Sequence, residues 1–445
     1  MAKHQQLKKG NPKVLFAWAF YDWANSVYSL VIASAIFPIF YGALTIVKND
    51  AGEVISDHVL FLGMSINNDA LISYTTALAF LIIVSLSPLL SGIADHRGNK
   101  KSFMKFFNYL GVIGCVGLYW FSLDYLLISL TFYLFGLIGF WGSIVFYNSY
   151  LPDLAHKEQQ DAISAKGFSL GYIGSVILLV ICLVLILNYE TFGFESEASP
   201  TRISFILTGV WWLGFSQYTY YFLPNSKSDN KEVSPDLIYS GYKEVRKVFF
   251  KIKSNPQFYR YLIAFFVYSM GVQTIMLVAT YFGVKEIKWG ETDATTGLII
   301  SILLIQLVAI VGATLAAKLT KAFSNIWVLI GINLIWVLIC CYAYFIHTPI
   351  EFYITAFFVG LVMGAIQSLS RSTYSQMIPN QETDTTSFFS FFDVTEKLGI
   401  IIGMLLYGSI AQLTGNVRNA IIFLSLLFIV SVFLLMRVPK KLDNS

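Results

Sequence analysis

Charged side chains are what this sequence has least of. Asp, Glu, Lys and Arg make up 13% of its 445 residues, whereas a typical soluble domain carries about 25%. Hydrophobic residues reach 56%, and the net charge is only +4. This composition argues against a soluble domain, and so small a net charge, concentrated in loops, argues against nucleic-acid binding.

Residue patterns for catalysis or metal binding are also missing. The four cysteines lie inside apolar segments without metal-ligand spacing, so we interpret them as small core residues: Cys115, Cys182, Cys340 and Cys341. We find no nucleophile with a plausible base and no phosphate-binding glycine loop. These absences predict that the chain is not an enzyme and has neither a metal site nor a cofactor.

A cleavable signal peptide is not evident either. The basic start, with Lys3, Lys8, Lys9 and Lys13, leads into an apolar run that is longer than the signal-peptide core of about 7–15 residues. We interpret this run as an uncleaved first membrane span that begins in the cytoplasm.

Long apolar runs, by contrast, fill most of the chain. A helix crosses the hydrocarbon core of a bilayer with about 20 apolar residues, and six such runs lie on each side of one polar connector. The predicted spans are 14–46, 70–94, 102–122, 125–151, 163–188, 202–223, 258–283, 295–318, 325–346, 350–376, 386–412 and 417–437. Pro38 predicts a kink or an early end in the long first span.

The polar connector divides the chain into three parts: a first six-helix half, a cytoplasmic linker and a second six-helix half. The predicted bounds are 1–223, 224–257 and 258–445. Apolar residues recur in the linker at helical spacing, between basic residues: Ile238, Tyr242, Val245, Phe249 and Ile252. This pattern fits an amphipathic helix on the anionic inner leaflet, or an ordinary solvated linker helix.

The placement of basic residues predicts the orientation of the spans. With the N-terminus in the cytoplasm, most of the 30 Lys and Arg residues fall on the inner side, as the positive-inside rule requires. The cations assigned to the outside are Lys48, Arg202, Lys285, Lys288 and Arg418. We therefore expect both termini in the cytoplasm, most simply at a bacterial plasma membrane.

The loop between the second and third spans reads SGIADHRGNKK over residues 91–101. Small residues let helix ends pack closely, a carboxylate can hold a neighbouring helix end, and glycine permits a tight turn. The loop resembles the signature of the major facilitator superfamily, G-x-x-x-D-x-x-G-x-K/R-K/R, although Ser91 stands at the first glycine. We predict a conformational gate here, formed by Asp95, Arg97, Gly98, Lys100 and Lys101.

Polar residues inside three spans are the candidate binding residues. In the first span Asp22 and Asn25 lie on one helix face, and a carboxylate at membrane depth needs a partner or an aqueous cavity. Asn148 in the fourth span and Gln367 in the tenth are further candidates. Arg371 in the tenth offers a fork for a substrate carboxylate, or serves as an inner-rim gate or anchor.

The eleventh span carries three charges, Asp393, Glu396 and Lys397. Asp393 and Lys397 are four residues apart with the acid first, the favourable order for a local ion pair. This pairing leaves Glu396 as the odd carboxylate, and an unpaired acid in a low-dielectric cavity binds protons more readily. The alternative is a purely structural charge network.

Four segments together resemble one branch of the superfamily, the vacuole-effluxer family of fungal autophagy-related amino-acid effluxers and bacterial relatives. They are the YDWANS segment at 21–26, the loop at 94–101, the YNSYLP segment at 147–152 and the QSLSRS segment at 367–372. The resemblance implies an all-α, twelve-helix carrier working by alternating access, with amino-acid efflux as the leading activity.

We thus expect a monomeric permease for a small-molecule substrate in the lipid bilayer, with the proton as candidate coupling ion. The alternatives are a proton-driven drug or metabolite antiporter, a non-transporting membrane sensor, and a membrane-embedded lipid enzyme. The absence of a soluble output domain disfavours the sensor, and the absence of a catalytic constellation disfavours the enzyme.

Overall fold

The computed structural model describes residues 9–49, 54–225, 237–290, 293–379, 382 and 384–438. Its helices are α1 (Pro12–Val27), α2 (Phe37–Thr45), α3 (Asn68–Arg97), α4 (Lys100–Gly117), α5 (Leu126–Asn148), α6 (Leu151–Leu154), α7 (Lys157–Leu187), α8 (Ala198–Phe222), α9 (Leu237–Ser254), α10 (Pro256–Glu286), α11 (Ala294–Leu319), α12 (Asn325–Ala343), α13 (Pro349–Met377), α14 (Thr385–Thr414) and α15 (Val417–Met436). Outside the described residues lie Lys3, Lys8 and residues 226–236 of the predicted linker.

Each of the twelve predicted spans coincides with a helix, α1 and α2 together forming the first. Within the described residues, nine of these helices are long and apolar enough to cross a membrane on composition alone. The other three are α4, α8 and α14, which carry lysines, hydroxyl residues or the charge cluster of the eleventh span. Their polar side chains lower the mean hydropathy, so their assignment as spans depends on packing within the bundle.

The first span changes its hydrogen-bonding register partway along. A π-helical segment, Tyr28–Ile36, lies between α1 and α2. Pro38 follows directly, and proline cannot donate the backbone hydrogen bond that an α-helix needs. The irregularity thus precedes the proline, and the helix still continues to Thr45.

Four short strands follow the first span, and the all-α prediction did not include them. Strand β1 (Val47–Lys48) pairs with β2 (Val54–Ser56), and β3 (His58–Phe61) pairs with β4 (Met64–Asn67), both antiparallel. Leu62 and Gly63 have φ angles of 50° and 81°, as a two-residue hairpin turn requires. These strands are too short and irregular for an alternation of apolar and polar residues to be recognised in the sequence.

Buried apolar residues form two clusters. One is drawn from residues between Val14 and Leu223, and the other from residues between Val248 and Val438, joined by Tyr172 of α7. Small residues allow the closest helix contacts: a Cβ atom added at Gly364 of α13 would overlap the Ala309 carbonyl of α11. The polar residues considered next lie where the two clusters meet.

Candidate functional site

An ion pair joins the first and second halves of the chain. Asp22 of α1 and Arg371 of α13 are both buried, and Nη1 and Nη2 of Arg371 each lie 3.1 Å from Oδ2 of Asp22. The Tyr147 hydroxyl donates to the same oxygen at 2.9 Å. Several donors on one carboxylate are what a buried ion pair needs to offset the loss of hydration.

Arg371 also binds the first half through uncharged groups. Its Nε donates to Oγ of Ser164 at 3.0 Å, and Nη2 donates to the Ser164 carbonyl at 2.9 Å. Nη1 lies 3.3 Å from Oδ1 of Asn148. The guanidinium further lies 4.9 Å from the Trp18 ring and 4.1 Å from the Phe168 ring, within cation–π range. Arg371 therefore bridges the two halves.

Two other predicted residues line the same region. Gln367 of α13 accepts a hydrogen bond of 2.7 Å from the Tyr172 hydroxyl of α7, another contact between the halves. Asn25 is buried, its Oδ1 lies 3.4 Å from the Ser26 hydroxyl, and its Nδ2 has no hydrogen-bond partner among the described residues. Asn25 thus has a free donor about one helical turn from Asp22.

The three charges of α14 form a second site. Lys397 is fully buried, pairs with Asp393 and lies 3.1 Å from Oε2 of Glu396. Its ammonium also lies 3.8 Å from the ring centroid of Trp141, on α5 of the other half. The prediction that Glu396 is left unpaired is wrong, because Lys397 reaches both acids and Gln273 donates to Glu396 Oε1 at 2.9 Å.

The unpartnered oxygen belongs to Asp393 instead. Within the described part of the chain, its Oδ2 has no hydrogen-bond partner. Glu396 keeps 18% of its side chain exposed, whereas Asp393 keeps 5% and Lys397 none. Two carboxylates and one ammonium give the cluster an excess negative charge. Glu396 is the member of the cluster that solvent can reach.

The predicted gate lies at the end of the bundle where α9 packs, here called the linker end. Both Asp95 carboxylate oxygens accept from the first turn of α14, from the Ser387 amide at 2.7 Å and the Thr386 amide at 3.2 Å. A carboxylate is stabilised at a helix N-terminus by free amides and by the helix dipole. Gly98 ends α3 with φ of 64°.

The remaining predicted gate residues differ in what they contact. Lys100 pairs with Asp153, donates to Thr385 Oγ1 of the other half at 3.1 Å, and lies 4.6 Å from the Tyr150 ring. Lys101 donates to the Leu223 carbonyl at 2.8 Å and stays within the first half. The Arg97 side chain makes no hydrogen bond to the described part of the chain, so Asp95 and Lys100 are the predicted gate residues that join the halves.

Sequence reasoning missed several contacts at the linker end. Asp161 of α7 accepts from Nδ2 of Asn325 at 2.9 Å and from Nε2 of Gln376 at 2.8 Å, again joining the halves. Near the start of α7, Asp161 is indistinguishable in sequence from a solvated loop charge. Ser164 gave no signal either, since one serine in a long helix is unremarkable.

Salt bridges join the linker helix α9 to the segment at the start of α14. Lys247 lies 2.9 Å from Oδ2 of Asp384, and Lys251 lies 2.5 Å from Oε2 of Glu382. Burial alone would raise the pKa of Asp384, but its hydrogen bonds with Glu244 and Lys247 and the charges of Lys247 and Lys251 lower it. The Asp384 carboxylate therefore stays charged at neutral pH.

No group of three or more His, Cys, Asp or Glu side chains in the described ranges is placed to hold a metal ion. The charged clusters instead combine acids with Arg or Lys. Such clusters can exchange an internal ion pair for the charged groups of a solute, or take up a proton.

Comparisons with known proteins give consistent results. Residues 10–442 match a family described as "Vacuole effluxer Atg22 like". The chain is 32% identical over 431 residues to the MFS-type transporter YxiO of Bacillus subtilis (strain 168), covering 96% of this chain and 94% of that protein. It is 23% identical to autophagy-related protein 22-1 of Penicillium rubens, covering 95% and 89%.

Among solved structures, the fold is similar to the major facilitator superfamily transporter FucP in its outward conformation. The TM-score is 0.67 with 15% sequence identity, and the match covers 97% of this chain and 99% of that one. At so low an identity the likeness concerns the fold alone.

Proposed function

Because this chain belongs to the Atg22-like vacuole-effluxer family of the major facilitator superfamily, we propose that it exports small zwitterionic solutes, with amino acids as the first candidates. Family membership makes it a multi-pass membrane protein and a secondary transporter, and not an enzyme. The substrate, the coupling ion and the roles of individual residues are the subject of the proposal.

We propose that the two halves, 1–223 and 258–445, rock about the solute path while residues 224–257 connect them. The bias of Lys and Arg supports a position of the linker end in the cytoplasm of a bacterial cell. Contacts between the halves at this end, through Asp95, Lys100 and Asp161, support a state closed toward the cytoplasm. This state is the outward-facing half of an alternating-access cycle.

The Asp22–Arg371 pair is the observation that carries the proposed substrate class. Opening the linker end must separate these side chains, and an unpaired buried charge costs several kcal/mol. A bound amino acid removes this cost, because its carboxylate pairs with Arg371 and its ammonium pairs with Asp22. A solute with both charges is thus favoured in the inward-facing state.

The same pair provides a means of release. When the linker end closes, the side chains of Arg371 and Asp22 return to a separation of 3.1 Å. Each side chain then competes with the solute for pairing with the other. Affinity therefore falls in the outward-facing state, as export requires, because a ligand shifts an equilibrium only through its different affinities for the two states.

The α14 cluster is the proposed proton site. Asp393 and Glu396 share one ammonium, that of Lys397, so one proton would neutralise the excess charge. Glu396 is the accessible member, and its protonation from outside would favour return of the empty carrier. The proton gradient would then drive export by antiport.

The test is efflux of labelled amino acids from proteoliposomes with and without a pH gradient. Wild-type protein is expected to release them faster than empty liposomes, and the gradient should change the rate. Asp22→Asn and Arg371→Lys should reduce efflux in both conditions, while Glu396→Gln should remove the response to the gradient. Asp69→Asn, an acid exposed at the other end of the bundle, serves as the matched control.

Different negative results would reject different parts of the proposal. Wild-type efflux by all three variants would reject the residue assignments but leave the carrier intact. Absence of amino-acid efflux by folded wild-type protein would reject the substrate class. A screen of drugs and metabolites against a proton gradient would then test the antiporter alternative, and solute binding without any flux would indicate a sensor.

A further inference from the structure

The linker helix α9 has a second face that the bundle does not use. Val248 and Ile252 are buried against the bundle. On the other side of the helix, the exposed fractions are 59% for Tyr242 and 52% for Phe250. Phe249 is 44% exposed, and its ring lies 6.1 Å from that of Phe391 of α14. The predicted apolar stripe is therefore divided: Ile252 faces the protein, Phe249 is partly exposed beside Phe391, and Tyr242 is largely exposed.

The cations of α9 are divided in the same way. Lys247 and Lys251 are engaged by Glu244, Glu382 and Asp384. The exposed cations Lys243, Arg246 and Lys253 form no salt bridge with the described residues. The Arg246 guanidinium lies 5.7 Å from the centroid of the Phe250 ring. The exposed face thus combines aromatic rings with positive charges that have no acidic partner among the described residues.

The chain itself sets the depth of this face. α9 ends at Ser254, and the spanning helix α10 begins at Pro256. Asn255 lies between them and caps α10, accepting from the amides of Gln257 and Phe258. With a single connecting residue, α9 must lie at the level where α10 enters the membrane, among the lipid headgroups.

We propose that the exposed face of α9 binds the headgroups of anionic phospholipids. Aromatic rings favour the membrane interface, and each Lys or Arg near an anionic surface adds to the attraction. Charge complementarity favours this occupant, because Lys243, Arg246 and Lys253 are exposed, while Glu244, Glu382 and Asp384 already pair with Lys247 and Lys251. The inference rests on the proposed membrane orientation only in assigning the face to the cytoplasmic leaflet.

The test measures binding of fluorescent phosphatidylglycerol and phosphatidylcholine to the purified full-length protein in neutral detergent. Wild-type protein should bind phosphatidylglycerol at least about tenfold more tightly, and the preference should shrink as salt rises. The variant K243Q/R246Q/K253Q should lose most of it. The matched control K13Q/K318Q/K321Q removes the same charge from exposed positions elsewhere at the linker end, and should keep it.

Equal preference in wild type and in K243Q/R246Q/K253Q would overturn the proposal, as would an equal loss in the control variant. The lipid-binding measurement does not depend on transport, so a failure of amino-acid efflux would not affect its result. Size-exclusion chromatography and thermal melting check that each variant folds.

A second measurement keeps the wild-type cations. A nitroxide is placed by Phe250→Cys on a Cys341→Ser background, since Cys115, Cys182 and Cys340 are buried. In phosphatidylglycerol nanodiscs the label should be more accessible to oxygen than to an aqueous nickel complex. The reverse order would show a face in water and would contradict the proposal.

Discussion

At the scale of single residues, the hydrogen bonds that converge on Asp22 explain how a carboxylate is stabilised inside an apolar bundle. Its Oδ2 receives the Tyr147 hydroxyl and two guanidinium nitrogens, while Trp18 stacks on the Tyr147 ring at 4.6 Å between centroids. The aromatic residues therefore both pack the site and supply one donor. The contribution of the Tyr147 hydroxyl to stability can therefore be measured separately from the packing of its ring.

We expect Tyr147→Phe to lower the free energy of unfolding by about 1.5–3 kcal/mol, because it removes a hydrogen bond to a charged group while keeping the ring. Denaturant unfolding in detergent measures the difference. Tyr28→Phe is the matched control, since the buried Tyr28 hydroxyl has no hydrogen-bond partner among the described residues. Equal effects of the two substitutions would contradict the role given to the Tyr147 hydroxyl.

The α14 cluster makes a second residue-scale prediction. Lys397→Met leaves Asp393 and Glu396 without a cation in a buried position, and breaking a buried ion pair costs about 3–5 kcal/mol. Lys397→Met should therefore melt at a lower temperature than wild type. Adding Asp393→Asn removes one of the two uncompensated charges and restores the net charge of the wild-type cluster, so it should recover much of the loss.

Thermal melting of the single and double variants in the same detergent measures this recovery. Asp124→Asn, an exposed acid far along the chain, is the control second substitution and should rescue nothing. If Asp393→Asn gave no recovery, the stability of the cluster would not depend on its charge balance.

At the scale of elements, contacts from several segments converge on the first turn of α14 at the linker end. Asp95 at the end of α3 caps it, Lys100 at the start of α4 contacts Thr385, and Lys247 of α9 contacts Asp384. Three segments of the chain thus meet one helix start. Weakening any of them should loosen this end without disturbing the rest of the bundle.

We expect Asp95→Ala to raise the open population of the linker end roughly 2- to 30-fold, since losing a capping side chain costs about 0.5–2 kcal/mol. The rate of thiol labelling at Ser149→Cys reports opening, because Ser149 is fully buried and faces Thr386. Asp124→Ala should leave the rate unchanged. Unaltered labelling in Asp95→Ala would mean that the cap does not hold the end closed.

At the scale of the whole molecule, the predicted major facilitator fold and the family are confirmed. The spans were accessible from sequence because membrane insertion imposes long apolar runs and a charge bias, and the family was accessible through four short segments that resemble it. All of these are local signals. The pairing of Asp22 with Arg371 was not accessible, since 349 residues separate them and no spacing rule links them. The contact of Glu396 with Gln273 was missed for the same reason, because Gln273 lies on another helix.

Alternating access makes a prediction that only the whole molecule can satisfy. Removing both charges with Asp22→Asn and Arg371→Gln deletes a contact between the halves without leaving an unpaired charge. We expect the population to shift toward the inward-facing state, because the deleted pair stabilises only the state closed at the linker end.

Spin-label distances across the halves measure this shift at both ends. A pair at Ser102 and Lys321 should lengthen at the linker end, and a pair at Asp124 and Lys288 should shorten at the other end, because each half moves as a rigid body. The exposed double substitution Lys13→Gln and Glu195→Gln should change neither distance. Lengthening at both ends would indicate loosening of the bundle and would contradict a rocking motion about the Asp22–Arg371 site.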